Sequence, residues 1–458
     1  MKSITQSAAP ENELHSSIEI FFRSFNLRAI LKNVGAYKCK EASAVKVFRK
    51  LFELVFIHKT LFEVCRMEEH EKPAKDTFYR FINSCRINWT RFTTLLAASI
   101  VIGRIKPLTG EQRVNVFIVD DTLCARARSK KVELLSWVYD HSGKVFVRGF
   151  RLLTLAWSDG NTLVPVNSCL MSSADTTKRI QEACPVDKRT CGYRQRQLAQ
   201  GTAPVAMMEM IRTAIASGLS ASYVLFDSWF STPPSILAIK EIGLDVIAMV
   251  KKTSKVHYRI GGKMLPVTKI YAQNSKRRGR SRYLLSVEAE VCSSDKQQSV
   301  PVRLVFVRNR NKRKEYLVLI STDLTLSEEE IIRLYGKRWK IEVFFKACKS
   351  LLRLTKECHS ISYDAMTAWV AVVFTRYMML AYLNRIETDE RTMGELFHVA
   401  CDELADLTLF EAFHLLMKFF AEYVQEKFQL AEEELEAMLD AFVAMLPATL
   451  KKSLLPCA

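Results

Sequence analysis

The sequence predicts a mixed α/β core held between two helical regions. Three observations carry this. Between residues 107 and 251, short β-rich runs alternate with helical ones. Apolar positions recur at helical spacing before residue 105 and again after about residue 360. Residues 252–325 hold β-prone runs separated by turns and rich in Lys and Arg, which reads as an insertion in the core.

In chain order, Ile18–Leu31 and Val45–Phe62 have the spacing of amphipathic helices, and Pro73 lies in the break that follows. Asp76 reads as the N-cap of a short helix to Ile82, and Asn88 as the cap of another from Trp89 to about Ile102. With Lys75, Arg80, Arg86 and Arg91 close by, the pair suits a helix-turn-helix-like DNA reader; a plain helical bundle fits equally well. Val114–Val119 is a continuous apolar run, hence a buried strand, and ends in Asp120-Asp121-Thr122. Val145–Trp157 and Thr162–Met171 form a hairpin across Ser158-Asp159-Gly160-Asn161. A polar loop over about 172–200 leads to a helix from Pro204 to Ser217 that Gly218 ends.

Tyr223–Phe226 is a second buried strand, ending in Asp227-Ser228-Trp229-Phe230. Pro233 and Pro234 start a helix that stops at Gly243, and Asp245–Val250 is another strand. The insertion follows, with strands Val256–Ile260, Tyr283–Val291, Val302–Val307 and Tyr316–Ser321. It carries two basic knots, Lys276–Arg282 and Arg308–Lys314. Glu328, Glu329 and Glu330 then open a long helix acidically, as a helix N-terminus prefers. On one continuous helix, Tyr335, Arg338, Glu342 and Lys349 fall within an arc of roughly 60°, with Lys346 on the same side.

Charge is unevenly spread over the 458 residues, whose formal net charge is +18. Residues 251–315 hold 18 Lys/Arg against 4 Asp/Glu, and residues 1–105 hold 17 against 10. Residues 359–458 hold 7 against 16. A basic middle beside an acidic tail indicates a polyanion-binding surface. No apolar core stands in the first 20 residues and no run is both long and uninterrupted enough to span a bilayer, so a cytoplasmic, nucleoid-associated protein is expected, with no membrane partner. The 12 cysteines form no Cys-x-x-Cys and no zinc spacing, so free thiols are expected.

Three acids therefore stand on separate elements: Asp120, Asp227 and Glu342. Each alone is also what a turn, a helix cap or a salt bridge would leave. Carboxylates brought together repel one another unless a cation holds them. Oxygen-only ligation selects Mg²⁺ or Mn²⁺ over zinc. Two such ions, about 3.5–4 Å apart, can activate an attacking oxygen and stabilise a departing one at phosphorus. Cations on the helix face, Arg338, Lys346 and Lys349, suit phosphate oxygens.

In these residues the sequence resembles the DDE transposases of bacterial insertion sequences, in particular insertion-sequence family four with its Tyr-x2-Arg-x3-Glu-x6-Lys signature. Tyr335, Arg338, Glu342 and Lys349 match each position of it. Asp120-Asp121-Thr122 and Asp227–Phe230 resemble the family's first and second acid contexts, and Thr77–Phe92 is similar to its N-terminal DNA-binding region. The resemblance covers roughly residues 70–360. It implies an RNase H-like catalytic core interrupted by a β-rich insertion, with Asp120, Asp227 and Glu342 catalytic and holding two Mg²⁺ (or Mn²⁺). Asp121 is the alternative first ligand; Asp120 is preferred because Thr122 then completes Asp-x-Thr. It also implies Tyr335, Arg338 and Lys349 on DNA phosphates, and a homodimer in a synaptic complex with double-stranded DNA, both terminal inverted repeats and target. A hairpin intermediate at the element's end is a further implication.

Other DNA contacts are expected from Lys346, from Trp229 by stacking, and from Lys276, Arg277, Arg278, Arg280 and Arg282 through backbone phosphates. The expected organisation is a helical N-terminal DNA-binding domain over 1–105, the core over 106–251, the insertion over 252–325, the Glu-bearing helix over 326–360 and an acidic helical region over 361–458. The rival readings are a nuclease of the same fold that cuts without joining, and a non-catalytic DNA-binding protein derived from a transposase.

Overall fold

The computed structural model describes residues 17–37, 42–67, 73–110, 112–278, 281–295, 297–309, 312, 315–386, 392–428 and 432–445. It begins with helices α1 (Ser17–Ser24), α2 (Leu27–Asn33), α3 (Ala44–Glu53), α4 (Leu61–Met67), α5 (Lys75–Ile82) and α6 (Trp89–Ile100). Asn88 caps α6 as its sequence indicates, its side chain accepting from Arg91 N at 3.0 Å. Asp76 lies inside the first turn of α5 instead of capping it; Ala74 holds the cap position.

Strands β1 (Val116–Ala125), β2 (Ser136–Asp140), β3 (Val145–Ser158) and β4 (Leu163–Met171) follow, then helices α7 (Cys191–Ala199) and α8 (Ala203–Ala216). The hairpin at Ser158–Asn161 is the β3–β4 turn, with Gly160 at φ +91°. The stretch expected to be loop contains α7, which Thr190 caps through a bond from Tyr193 N. After β5 (Tyr223–Phe226), α9 (Pro233–Glu241) and β6 (Asp245–Met249) come β7 (Tyr258–Ile260), β8 (Lys263–Leu265), α10 (Val267–Gln273), β9 (Tyr283–Cys292), β10 (Ser299–Arg308) and β11 (Tyr316–Ser321). The chain closes with α11 (Glu328–Gly336), α12 (Trp339–Ser350), α13 (Tyr363–Ile386), α14 (Met393–Phe428) and α15 (Glu432–Met445).

Among the described residues, eleven strands form one mixed sheet in the order β2-β3-β1-β5-β6-β11-β10-β9-β7-β8, with β4 also on β3. β1, β5 and β6 run parallel; β3 is antiparallel to β1 and β11 to β6. The basic segment's strands thus continue the core sheet through the β6–β11 pair. Parallel strands are buried on both faces, which is why Val116–Val119 and Tyr223–Phe226 are apolar throughout.

Two expectations about the core need correcting. β1 does not end at Val119: it runs on to Ala125, paired with β3 down to Ala125–Gly149, so Asp120 and Asp121 lie inside a strand. The helix expected across Glu328–Lys349 is two helices, α11 and α12, joined by a turn at Lys337-Arg338. Across the break the backbone bonds shorten to three residues, Lys337 N to the Leu334 carbonyl and Ile341 N to that of Arg338. The Lys337 ammonium reaches away from the helix to the carbonyl of Val114 at 2.6 Å and of Asp159 at 3.4 Å.

α13 is long and apolar enough to cross a membrane, but it packs inside the protein. Its Arg376 is fully buried, donating to the carbonyls of Phe52 and Leu51 at 2.9 and 2.7 Å and pairing with Glu357. A buried guanidinium satisfied in this way fastens the N-terminal helices to α13. A second buried network joins Arg196 of α7 to Glu133 (2.6 Å) and to Asp364 of α13 (2.7 Å). Neither network is legible in the sequence, since the partners lie far apart along the chain.

Candidate active site

Parallel pairing of β1 and β5 ends at Val119–Phe226, and the next residue of each chain segment is an aspartate, Asp120 and Asp227. Strand carboxyl ends of open α/β sheets are where functional groups collect. Alternation along β1 sends Asp120, Thr122 and Cys124 to one face and Asp121 to the other. On Asp120's side lies α12, whose first turn carries Glu342. Arg338 spans the gap: Nη1 donates to Asp120 Oδ2 and Nη2 to Glu342 Oε1, each at 2.6 Å. The Arg338–Glu342 pair is the i, i+4 contact the spacing indicates, while the contact to Asp120 crosses from helix to strand.

The electrostatics follow from burial. The Asp120 carboxyl is pushed up to about 7, mainly by desolvation and further by Asp227 and Asp121; Arg338 and the Asp121 amide, which donates to Asp120 Oδ1 at 2.8 Å, oppose the rise. Burial also raises Asp227, against the pull of the Trp229 amide, which donates to its Oδ1 at 2.9 Å, and of Arg338. Tyr335 stands on α11, not on Glu342's helix, yet joins the site. Its phenol is pushed up to about 12 by burial, with the two aspartates adding and Arg338 opposing. Arg338 lies 5.9 Å from its ring.

The structure therefore brings Asp120, Asp227, Tyr335, Arg338 and Glu342 together. Among the described residues no three His, Cys, Asp or Glu side chains lie close enough together to hold one metal ion. Arg338 stands between two of the three acids, neutralising them as a cation would. As a donor set, three carboxylates fit a hard divalent ion in their chemistry, with a guanidinium between two of them.

Asp121 is otherwise engaged, in an ion pair with Arg151 of β3. Together with Lys349, Asp140 and His141 the pair lines a cleft of about 580 Å³. Lys349, two turns beyond Glu342 on α12, thus opens on the same cleft, and Lys346 is exposed. Arg151 is absent from the residues that the sequence reading selects, although a lone Arg in the apolar run Arg151–Trp157 is a signal for a partnered charge.

Trp229 is 58% exposed, with the Lys251 ammonium 5.5 Å from its ring. Of the first basic knot, Lys276, Arg277, Arg278 and Arg282 are exposed; Arg280 lies outside the described residues. Lys276 and Arg277 cover the rings of Tyr271 and Tyr283 at 4.7 and 4.4 Å. The second knot begins against the first: Arg308 Nε donates to the carbonyl of Ser281 at 3.0 Å, while Arg310, Arg313 and Lys314 lie outside the described residues. Such a cluster at one end of the β9–β10 ladder suits a polyanion.

Among solved structures, the piggyBac transposase synaptic complex with hairpin DNA, determined by cryo-EM, is similar over 96% of this chain and 87% of that one, with 11% identity and a TM-score of 0.44. No curated protein matches the sequence. A family model described as a DDE superfamily endonuclease matches residues 56–311, more than half of the chain; the match includes Asp120 and Asp227 and ends before Glu342. The chain belongs to the DDE superfamily of endonucleases.

Proposed function

We propose that this endonuclease is a DNA transposase that cleaves at the ends of a mobile element and joins them to target DNA. The observation that carries the reading is Arg338 bonded to Asp120 and Glu342 beside Asp227, within a Tyr-Arg-Glu-Lys spacing resembling that of insertion-sequence family four. Asp120, Asp227 and Glu342 would hold two Mg²⁺ or Mn²⁺ ions, which when bound supply an activated oxygen nucleophile and stabilise the leaving oxygen. Asp120 is preferred to Asp121 as first ligand because Arg338 links it to Glu342, whereas Asp121 is paired with Arg151.

This chain's own residues have distinct roles. Arg338 balances the acids while no substrate is present and offers a guanidinium to phosphate. Tyr335 presents a buried hydroxyl beside Arg338 and the two aspartates. Lys346 and Lys349 continue the cationic line along α12, Trp229 offers a stacking surface, and the joined basic knots hold backbone phosphates. The order β4-β3-β1-β5-β6, with β1, β5 and β6 parallel, supports an RNase H-like core into which residues 252–325 are inserted. The residue boundaries given above, action as a homodimer on inverted repeats, a hairpin intermediate, and a cytoplasmic location belong to the same proposal.

The test is Mg²⁺-dependent cleavage and strand transfer on duplexes bearing the element's ends. Glu342→Gln should lower both by roughly 1,000-fold or more, the several kcal/mol that metal-assisted charge stabilisation supplies, and leave DNA affinity near that of the wild type. Unchanged cleavage in Glu342→Gln would remove the catalytic assignment. Cleavage by the wild type with no joined product would favour a nuclease.

A further inference from the structure

We propose that the exposed face of the β2–β3 ribbon, built from Trp137, Tyr139, Phe146 and Arg148, is a stacking platform for unpaired nucleotides of the DNA substrate. The inference rests on the DNA-processing reading and adds a site to it. Along β2, buried Ser136 and Val138 alternate with Trp137 and Tyr139, which are 42% and 38% exposed. Across the ladder Trp137 is in register with Arg148 and Tyr139 with Phe146, itself 59% exposed. The Arg148 guanidinium lies 5.6 Å from the Trp137 ring, and the Tyr139 and Phe146 rings are 5.2 Å apart. One sheet face therefore presents three aromatic rings to solvent, with the half-buried Arg148, whose Nη1 donates to the carbonyl of Ser129 at 3.0 Å, against one of them. A contiguous apolar face left open marks a binding surface.

Charge selects the occupant. Residues 126–151 hold 7 Lys/Arg against 2 Asp/Glu. Glu133 is buried against Arg196 and Arg151 is paired with Asp121, which leaves Arg128, Lys130, Lys131 and Lys144 exposed beside one half-buried acid, Asp140. Rings set among cations suit bases with their phosphates, and bases already stacked in a duplex have no free face to offer.

Register supplies the placement. Even-numbered residues of β3 share the face of Phe146 and Arg148; they pair with Cys124, Thr122 and, at Thr154, with Asp120. The platform and Asp120 thus lie on the same side of one sheet, with Phe146 eight residues along β3 from the partner of Asp120. At about 3.3 Å per residue the separation is roughly 20–26 Å. That equals about six to eight nucleotides of one B-form strand.

The test uses the full chain and labelled duplexes, one blunt and one with an eight-nucleotide single-stranded tail. Trp137→Ala and Phe146→Ala should each weaken binding of the tailed duplex about ten-fold and leave the blunt one within about two-fold, while Trp137→Phe, which keeps a ring, restores the loss. Phe146→Ala alone decides the matter if Trp137→Ala does not fold. Equal effects on both duplexes, or none, overturn the platform. If Trp137→Ala turns a dimer into a monomer with tailed-duplex affinity intact, the face seats a second copy, and the proposal fails. A wild-type chain that binds neither duplex would overturn the DNA reading as well; one that binds both, with variants that do not discriminate, overturns the platform alone.

Discussion

Asp120 and Asp227 are neighbours across a parallel ladder: Val119 and Phe226 pair in register, and each aspartate is the next residue of its chain segment. Burial, with a smaller contribution from the charge of Asp227, leaves Asp120 with a carboxyl raised from 3.8 to about 7.

The sign of the resulting pH dependence is fixed. Between about 4 and 7 the folded chain holds a proton on Asp120 that the unfolded chain has released, so stability falls as pH rises through this window. Asp120→Asn removes that dependence. In chelator, the melting temperature of the variant should gain on the wild type from pH 4 to 7 and level off above. A constant difference would mean that Asp120 is ionised throughout.

Arg338 is the counter-charge of two acids, so its loss leaves them uncompensated. Arg338→Gln should destabilise the metal-free chain by roughly 2–4 kcal/mol, as breaking a largely buried pair does. Mg²⁺ should recover part of the loss in a urea titration, because divalent binding to the folded state adds stability. If Mg²⁺ raised wild type and variant equally, Arg338 and the ion would not share ligands.

The joined basic knots are expected to act through phosphates. Neutralising Lys276, Arg277, Arg278 and Arg282 together should reduce the slope of log affinity against log salt by up to about 3.6, or roughly 0.9 for each phosphate no longer neutralised. An unaltered slope would place the knots away from DNA.

Gly149 pairs with Ala125 on one side and Ser136 on the other, and a Cβ there would sit 2.4 Å from the carbonyl oxygen of Cys124. Gly149→Ala should cost about 1–3 kcal/mol by overpacking. Urea unfolding checks this, and an unchanged midpoint would mean that β1 and β3 can separate freely.

Much of this is legible in the sequence, and the misses have physical causes. Tyr223–Phe226 and the Ser158–Asn161 turn can be read because burial on both faces and turn chemistry are local properties. The apolar run Val116–Val119 marks the extent of the parallel pairing, not of the strand; beyond it, among the described residues, β1 keeps only β3 as a sheet partner, and polar Asp120, Asp121 and Thr122 come first. The α11–α12 break is hidden because Lys337 and Arg338 keep right-handed helical angles, so the periodicity carries through. At the break, Lys337 reaches a carbonyl 223 residues away in sequence, a contact no local pattern reveals. β2 escapes notice although its period of two is plain, since its aromatics face outward. α7 escapes it because an Arg- and Gln-rich composition resembles a loop until Thr190 is seen to cap it. Of the site, the acids and Arg338 can be read from spacing; Arg151 and Lys337 act through partners that only folding supplies.

The Lys337 tether also ties the third acid to the strand of the first. Its ammonium is fastened to the carbonyl of Val114, six residues before Asp120. Glu342 lies five residues beyond Lys337, about 7.5 Å along the helix axis. Ile341, Phe344 and Cys348 of α12 are fully buried and keep the helix seated. The spacing of the outer two carboxylates is thus set by a lysine that belongs to neither.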